Sequence, residues 1–327
     1  MQHSLPIHKP FITGRLHHSL PQSIMTKDEN YISWFYNNYV QLSCNKGSGG
    51  SSELNFFRYF MWEHRYPFFH IETLTRDTIS ILKNDFISLI KDVLISGKYF
   101  YVNIDEYYLP LQLYRQEHLV RDVLVFGFDD ETNMFQVLGF DKNAKFGVNN
   151  VSYKDLHEAY LQTEVLDGWE NYIYLVKENP FTYNFNFGLL TELLEDYLHS
   201  KNTSKKFNMI DPEKNLHYGL NSLEALKEDI HENNYGFVSL HILWEHKKIM
   251  NDRIKYISNI LPNIDFKEIL YNYEKTQSMA ENIRMLCLKS IYKKDSTLNS
   301  RMISLLNSII ENEKIILNNL ICKINSI

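Results

Sequence analysis

The sequence predicts an α+β fold: a mixed half over residues 1–180, built on an antiparallel sheet, followed by an all-helical half over residues 181–327. Three patterns carry this reading. Runs rich in β-branched and aromatic residues, bounded by Pro, Gly, Asp or Asn, crowd the end of the first half. The stretch EHLVRDVLVFGFDDETNMFQVLGFD (117–141) reads as strand, tight turn and strand, which is an antiparallel hairpin. From about residue 181 onward, apolar residues recur every three or four positions, the period of an amphipathic helix. At 327 residues the chain is long enough for two domains that each bury a core.

From the N-terminus, YISWFYNNYVQLSC (31–44) places Trp34, Phe35 and Tyr39 at helical spacing and predicts a helix. TRDTISILKNDFISLIKDVLISG (75–97) predicts one amphipathic helix, capped by Thr75 and ended by Gly97. KYFYVNIDEYYLP, DVLVFGFDD, MFQVLGFD and WENYIYLVKEN predict strands. The second half then predicts helices over 219–233, 240–261, 266–294 and 296–324; in the last of these, Leu298, Met302, Leu305, Ile309 and Ile316 make one apolar stripe. KGSGGSSE (46–53) has the composition of a flexible linker, native or engineered, and carries no functional signal.

Composition narrows the function. Charged residues are 23% and the balance is mildly acidic, −6 from 34 basic and 40 acidic side chains. No basic run interleaved with aromatics supplies the footprint a phosphate backbone needs, so nucleic acid is not an expected partner. No apolar run approaches the roughly 20 residues that cross a bilayer, and the first residues lack the apolar core of a secretory signal. A cytoplasmic protein with no membrane association is expected. Cys44, Cys287 and Cys322 are odd in number and lack CxxC spacing, which encodes neither a disulfide framework nor a thiolate metal site. His241 and His246 are five residues apart and do not form HExxH, and no phosphate-binding glycine motif occurs. No metal and no cofactor is implied.

The candidate chemistry lies in the hairpin, with His118 near one end and Asp141 at the other. A papain-type site needs a thiolate at a helix N-terminus, an imidazole that shuttles its proton, and a carboxylate that fixes the imidazole's tautomer. Imidazole and carboxylate on neighbouring strands give the order His, strand, turn, strand, Asp. A hairpin with a polar residue at each end has the same form, so spacing alone leaves both readings open. Asp105 and Glu106 end the preceding strand, where paired carboxylates can tune one another or grip an amine; side-chain alternation puts only one of them on a cleft. Arg121 can pair with Asp122 or hold an anion.

VNIDEYYLP (102–110), followed by YRQEHLVRDVLVFGFDD (114–130) and FQVLGFD (135–141), resembles the N-terminal domain of the butirosin biosynthesis protein H family. That domain is similar to the papain-like leader peptidases of bacteriocin export. HYGLNSLEALKEDI (217–230), LHILWEHKKIMNDRIKYI (240–257) and IRMLCLK (283–289) resemble the helical domain that follows in the family, so the similarity covers nearly the whole chain. The resemblance implies a papain-like domain and an acyl transfer in thiotemplated, nonribosomal-peptide-type biosynthesis of a natural product. An acyl group would pass from a carrier-protein thioester to a small amine, giving an amide. Asp141 matches the orienting carboxylate. The family's histidine position falls on Arg121, three residues after His118, and the family's cysteine falls in FITGRLHHSLPQSIM (11–25), which holds His17, His18 and Ser19 instead. Cys44 is the one cysteine of the first half, and the helix-ending signal around it opposes a thiolate. The candidate catalytic residues are therefore His18, His118, Asp141 and Cys44; the candidate substrate contacts are Arg121, Asp105, Glu106, Tyr107 and His17. Three outcomes stay open: direct attack of an amine with His18 or His118 as general base, a catalytically silent homologue that binds a carrier protein or peptidyl intermediate, and a cysteine peptidase.

Overall fold

The computed structural model describes residues 1–46, 50–57, 66–82, 85–166, 168–206, 216–293 and 295–326. In chain order its first half holds β1 (Gln2–Ser4), α1 (Leu16–Ile24), α2 (Glu29–Asn38), β2 (Leu42–Lys46), β3 (Ser52–Phe56), β4 (Phe69–Thr75), α3 (Arg76–Leu82), α4 (Phe86–Ile95), β5 (Tyr99–Asp105), β6 (Val120–Asp129), β7 (Met134–Phe140), β8 (Phe146–Ser152), α5 (Tyr153–Gln162) and β9 (Tyr172–Glu178). There follow α6 (Phe187–Leu198), β10 (His217–Tyr218), α7 (Gly219–His231), α8 (Phe237–Ile260), α9 (Lys267–Lys293) and α10 (Asn299–Ile324). The chain is α+β and forms two compact units. Unit 1 is Met1–Tyr31 with Phe60–Thr182, and unit 2 is Ile32–Tyr59 with Tyr183–Ile327. Among the described residues no helix is long and apolar enough to cross a membrane.

Unit 1 is built on an antiparallel sheet in the order β4-β9-β5-β6-β7-β8, with β1 added to the far half of β6. Phe100, Val102 and Ile104 of β5 meet Phe86, Ile90 and Val93 of α4 in one apolar cluster, which Leu156 and Tyr160 of α5 complete. The Phe86 and Tyr160 rings stack at 3.8 Å. β6 changes register between Val125 and Gly127, and its pairing with β1 runs from Gly127, opposite Ser4, to Asp129, opposite Gln2. A Cβ at Gly127 would lie 2.4 Å from the end of the flexible Gln136 side chain, which would have to swing aside, and 3.0 Å from the His3 carbonyl, so a side chain there would press on β1.

The single helix expected over 75–97 is two. Thr75 caps α3, its hydroxyl accepting from the Thr78 amide at 3.1 Å. Asp85 takes extended backbone and starts α4 afresh by accepting from the Ser88 amide at 2.8 Å. An apolar period cannot reveal this break, because a capping aspartate restarts the helix with its apolar face still toward the sheet.

Unit 2 packs α6–α10 with the small sheet β10-β2-β3. The segment expected to be helical to residue 44 stops at Asn38, and 42–46 is a strand between β10 and β3. Residues 32–59 accordingly belong with the helical half rather than with residues 1–180. Within the expected linker, residues 47–49 lie outside the described residues; Lys46 and Ser52 on either side of them pair across β2 and β3. Pro262 stops α8 at Ile260.

A charged network is buried among these helices. Lys247 Nζ lies 2.8 Å from Glu313 Oε2, and both side chains are fully excluded from solvent. The hydroxyls of Tyr197 and Tyr273 donate to the same carboxylate, and Lys247 also donates to the Tyr197 oxygen. His246 accepts from Lys247 at Nδ1 and donates from Nε2 to the Val40 carbonyl at 2.8 Å. Arg253 Nε donates to the Tyr36 carbonyl in the last turn of α2 at 2.6 Å. Burial holds the His246 pKa well below its usual value of 6.5, with the Lys247 charge acting in the same direction.

Candidate functional site

β5 is buried at all seven positions, and its period of two separates Phe100, Val102 and Ile104 from Tyr99, Tyr101, Asn103 and Asp105. At Asp105 the strand stops. Its carboxylate caps a 3₁₀ turn over Glu106–Tyr108 by accepting from the Tyr107 amide at 3.0 Å. The chain then loops out and returns to β6 over that same carboxylate. Leu119 donates its amide to Asp105 Oδ1 at 3.1 Å, and Glu106 donates its amide to the Leu119 carbonyl at 3.0 Å. This return brings His118 Nδ1 to 2.6 Å from Asp105 Oδ2.

The ionised carboxylate only accepts, so the proton of a neutral His118 sits on Nδ1 and Nε2 is the basic nitrogen. The Asp105 side chain is 8% exposed and the imidazole 62% exposed. A buried acid thus orients a ring that faces solvent. Tyr107 stacks on the imidazole with centroids 4.0 Å apart and planes at 19°, and Tyr108 stands at 5.8 Å. From behind, Thr163 accepts the Asp105 amide proton at 3.0 Å and donates to the Ala159 carbonyl near the end of α5 at 2.6 Å. The dyad is held by the strand end, the returning loop and the helix.

Glu106 forms a second pair beside the first. Its Oε2 accepts from Arg121 Nη1 at 3.0 Å, its Oε1 accepts from the Leu113 amide at 3.0 Å, and the same Arg121 nitrogen donates to Gln112 Oε1 at 3.0 Å. Strand alternation was expected to bring only one of the two carboxylates into use. Both are used, because β5 ends at Asp105 and Glu106 already belongs to the turn.

The remaining candidates are placed as follows. Asp141 lies in the tight β7–β8 turn, where its Oδ1 accepts the amides of Asn143 at 2.8 Å and Lys145 at 2.9 Å. These two donors hold its pKa below the usual carboxylate range. The acid bonded to His118 is therefore Asp105 and not Asp141. The 107–119 loop folds the imidazole back onto the end of β5, whereas the Asp141 carboxylate is taken up by the backbone of the turn that follows β7. His17 and His18 are in the first turn of α1, their ring centroids 4.5 Å apart, and His18 is fully buried. Cys44 is buried in the middle of β2, opposite Leu54 of β3 and His217 of β10, rather than at the end of a helix. It belongs to unit 2, while His17, His18, His118 and Asp141 belong to unit 1. Cys287 is buried in α9, and Cys322 is exposed on α10. His241 pairs with Glu245 at 3.3 Å within α8 and accepts from Arg284 at 2.9 Å. Sequence reasoning missed the supporting roles of Leu119, Gln112 and Thr163, which no local pattern announces.

No protein-family model matches this chain, and no curated protein matches it. The site's chemistry is accordingly read from its geometry. It offers an oriented imidazole whose free valence is Nε2, a buried acid that stabilises the imidazolium formed when that nitrogen takes a proton, and an aromatic ring packed on one side.

Proposed function

We propose that unit 1 is a papain-like domain in which the Asp105–His118 dyad is the general base of an acyl transfer, forming an amide from a carrier-protein thioester and a small amine. The observation that carries this reading is the 2.6 Å contact between His118 Nδ1 and the buried Asp105 carboxylate. The family resemblance of residues 102–141 supplies the reaction class. His118 Nε2 removes a proton from the amine as its nitrogen attacks the thioester carbonyl. The C–N bond forms, the C–S bond breaks as the tetrahedral intermediate collapses, and His118 returns the proton to the departing thiolate. No covalent enzyme intermediate is needed, which agrees with a unit 1 whose residues include no cysteine.

The test is aminolysis of an acyl thioester of N-acetylcysteamine by a primary amine, followed by thiol release. H118A and D105N each lower the rate by about 10²- to 10⁴-fold, the contribution of a positioned general base, while D141N leaves it within about twofold. The variant C44A/C287A/C322A, in which no thiol remains, keeps turnover. Turnover lost in that variant with the fold intact by circular dichroism returns the cysteine mechanism, and an acyl-carrier protein bound tightly with no turnover makes the protein a binding homologue.

A further inference from the structure

The loop that returns His118 to Asp105 also presents a second cation. Arg115 takes the left-handed backbone conformation, φ 56°, which costs a residue with a Cβ roughly 1 kcal/mol. Its amide donates to the Tyr107 carbonyl at 3.0 Å. Its guanidinium carbon lies 5.3, 5.5 and 5.3 Å from the ring centroids of Tyr107, Tyr108 and Tyr114, within cation–π range of all three. The Tyr114 hydroxyl, and after it that of Tyr107, favours the charged form further, while Glu158 acts on it electrostatically. Arg121 has its carboxylate in Glu106. Arg115 is exposed to solvent and flanked by aromatic rings, and among the described residues no carboxylate stands at salt-bridge distance from it.

Two of those rings are the ones packed on His118. With the Tyr107 centroid 4.0 Å from the imidazole centroid and 5.3 Å from the Arg115 guanidinium carbon, base and cation are no more than about 9 Å apart. A bidentate contact between guanidinium and anion and a hydrogen bond from an amine to Nε2 each take about 3 Å of that reach. What remains is at most the span of a few atoms, so a molecule that reaches both groups need be no longer than a small amino acid. We propose that Arg115 is a substrate-positioning residue that takes an anionic oxygen group, carboxylate or phosphate, carried by the same small amine that His118 deprotonates. The acceptor is then an amino acid or aminoalkyl phosphate rather than a simple amine. This rests on the general-base reading of His118, and the experiment separates the two.

The full chain, R115Q and R115K are titrated with β-alanine, β-alaninamide and O-phosphoethanolamine while the His118 ring signals are followed by NMR; the same amines are then used in thioester aminolysis. The expected result is saturable perturbation of His118 by β-alanine or O-phosphoethanolamine, the stronger of the two identifying the anion, with little effect of the uncharged amide. R115Q weakens that binding and raises KM by roughly 10- to 100-fold, the worth of a charge-assisted contact, with kcat within about threefold; R115K keeps part of the affinity. Equal binding of acid and amide, or unchanged binding in R115Q, overturns the proposal. If the anion dependence holds but no amine turns over, the Arg115 site stands and the acyl-transfer reading falls. If turnover is indifferent to R115Q, the reverse holds.

Discussion

Asp105 carries more of the site than any other residue. Its carboxylate accepts from the Tyr107 amide, the Leu119 amide and His118 while its own amide is held by Thr163, so one side chain ends a strand, caps a turn and orients a base. D105N keeps the shape but replaces one acceptor with a donor and releases the tautomer, so its effect falls on rate more than on stability. Glu106 and Arg121 are different, since that pair supports the loop. R121M leaves a buried carboxylate with the Leu113 amide as its remaining partner and is expected to cost about 1–3 kcal/mol in urea unfolding, more than E106Q, because the half-buried Arg121 keeps access to water and to Gln112. Equal costs would show that the carboxylate is not the strained partner. Asp105, Glu106, Arg121 and His118 were all legible as chemistry-bearing residues in the sequence. Which acid orients the imidazole was not: the match to Asp141 is a match of order along the chain, and the actual bond is made by a loop whose path has no period.

Helices and strands were legible wherever an apolar period ran uninterrupted, as in α7–α10 and β5–β7. Errors came where a short polar residue changed the backbone inside such a run. Asp85 restarts a helix without breaking its period, and α2 ends at Asn38 inside a segment whose aromatic residues keep a helical spacing. Gly219, at the start of α7, has φ 51°, and a Cβ there would lie 1.9 Å from the Tyr197 carbonyl oxygen. G219A therefore forces α6 and α7 apart and is expected to cost roughly 2 kcal/mol or more, read as a lower urea midpoint at unchanged slope. A near-neutral effect would mean that the junction of the two helices gives way easily.

The two units are stabilised by different means, an apolar cluster beneath a sheet in unit 1 and a helical core holding a charged network in unit 2. Removing one member of the Lys247–Glu313 pair strands the other, so E313L and K247M are each expected to cost about 3–5 kcal/mol, while the double variant K247M/E313L costs less than the two together. Additive losses in that cycle would deny the coupling. The same network sets an acid limit. His246 binds its proton more weakly folded than unfolded, so the unfolded chain takes up protons first as pH falls; its contribution to stability is full above about pH 6.5 and is lost progressively below. Melting temperature should therefore decline below pH 6.5, and H246Q should flatten that part of the profile. A profile unchanged in H246Q would place the acid sensitivity elsewhere.

Composition and period alone established the α+β class, the run of helices from residue 219 and most strands of the large sheet, because burial of one face imposes a repeat that any local window can detect. They also marked the residues able to do acid–base chemistry. Pairing lay beyond them: Asp105 with His118, residues 32–59 with the helical half, and Glu313 inside a stripe where the period calls for an apolar side chain. Each of these is a contact between residues distant in sequence or across a loop of irregular path. Such contacts are set by where the whole chain closes on itself, and a linear pattern holds no record of that closure.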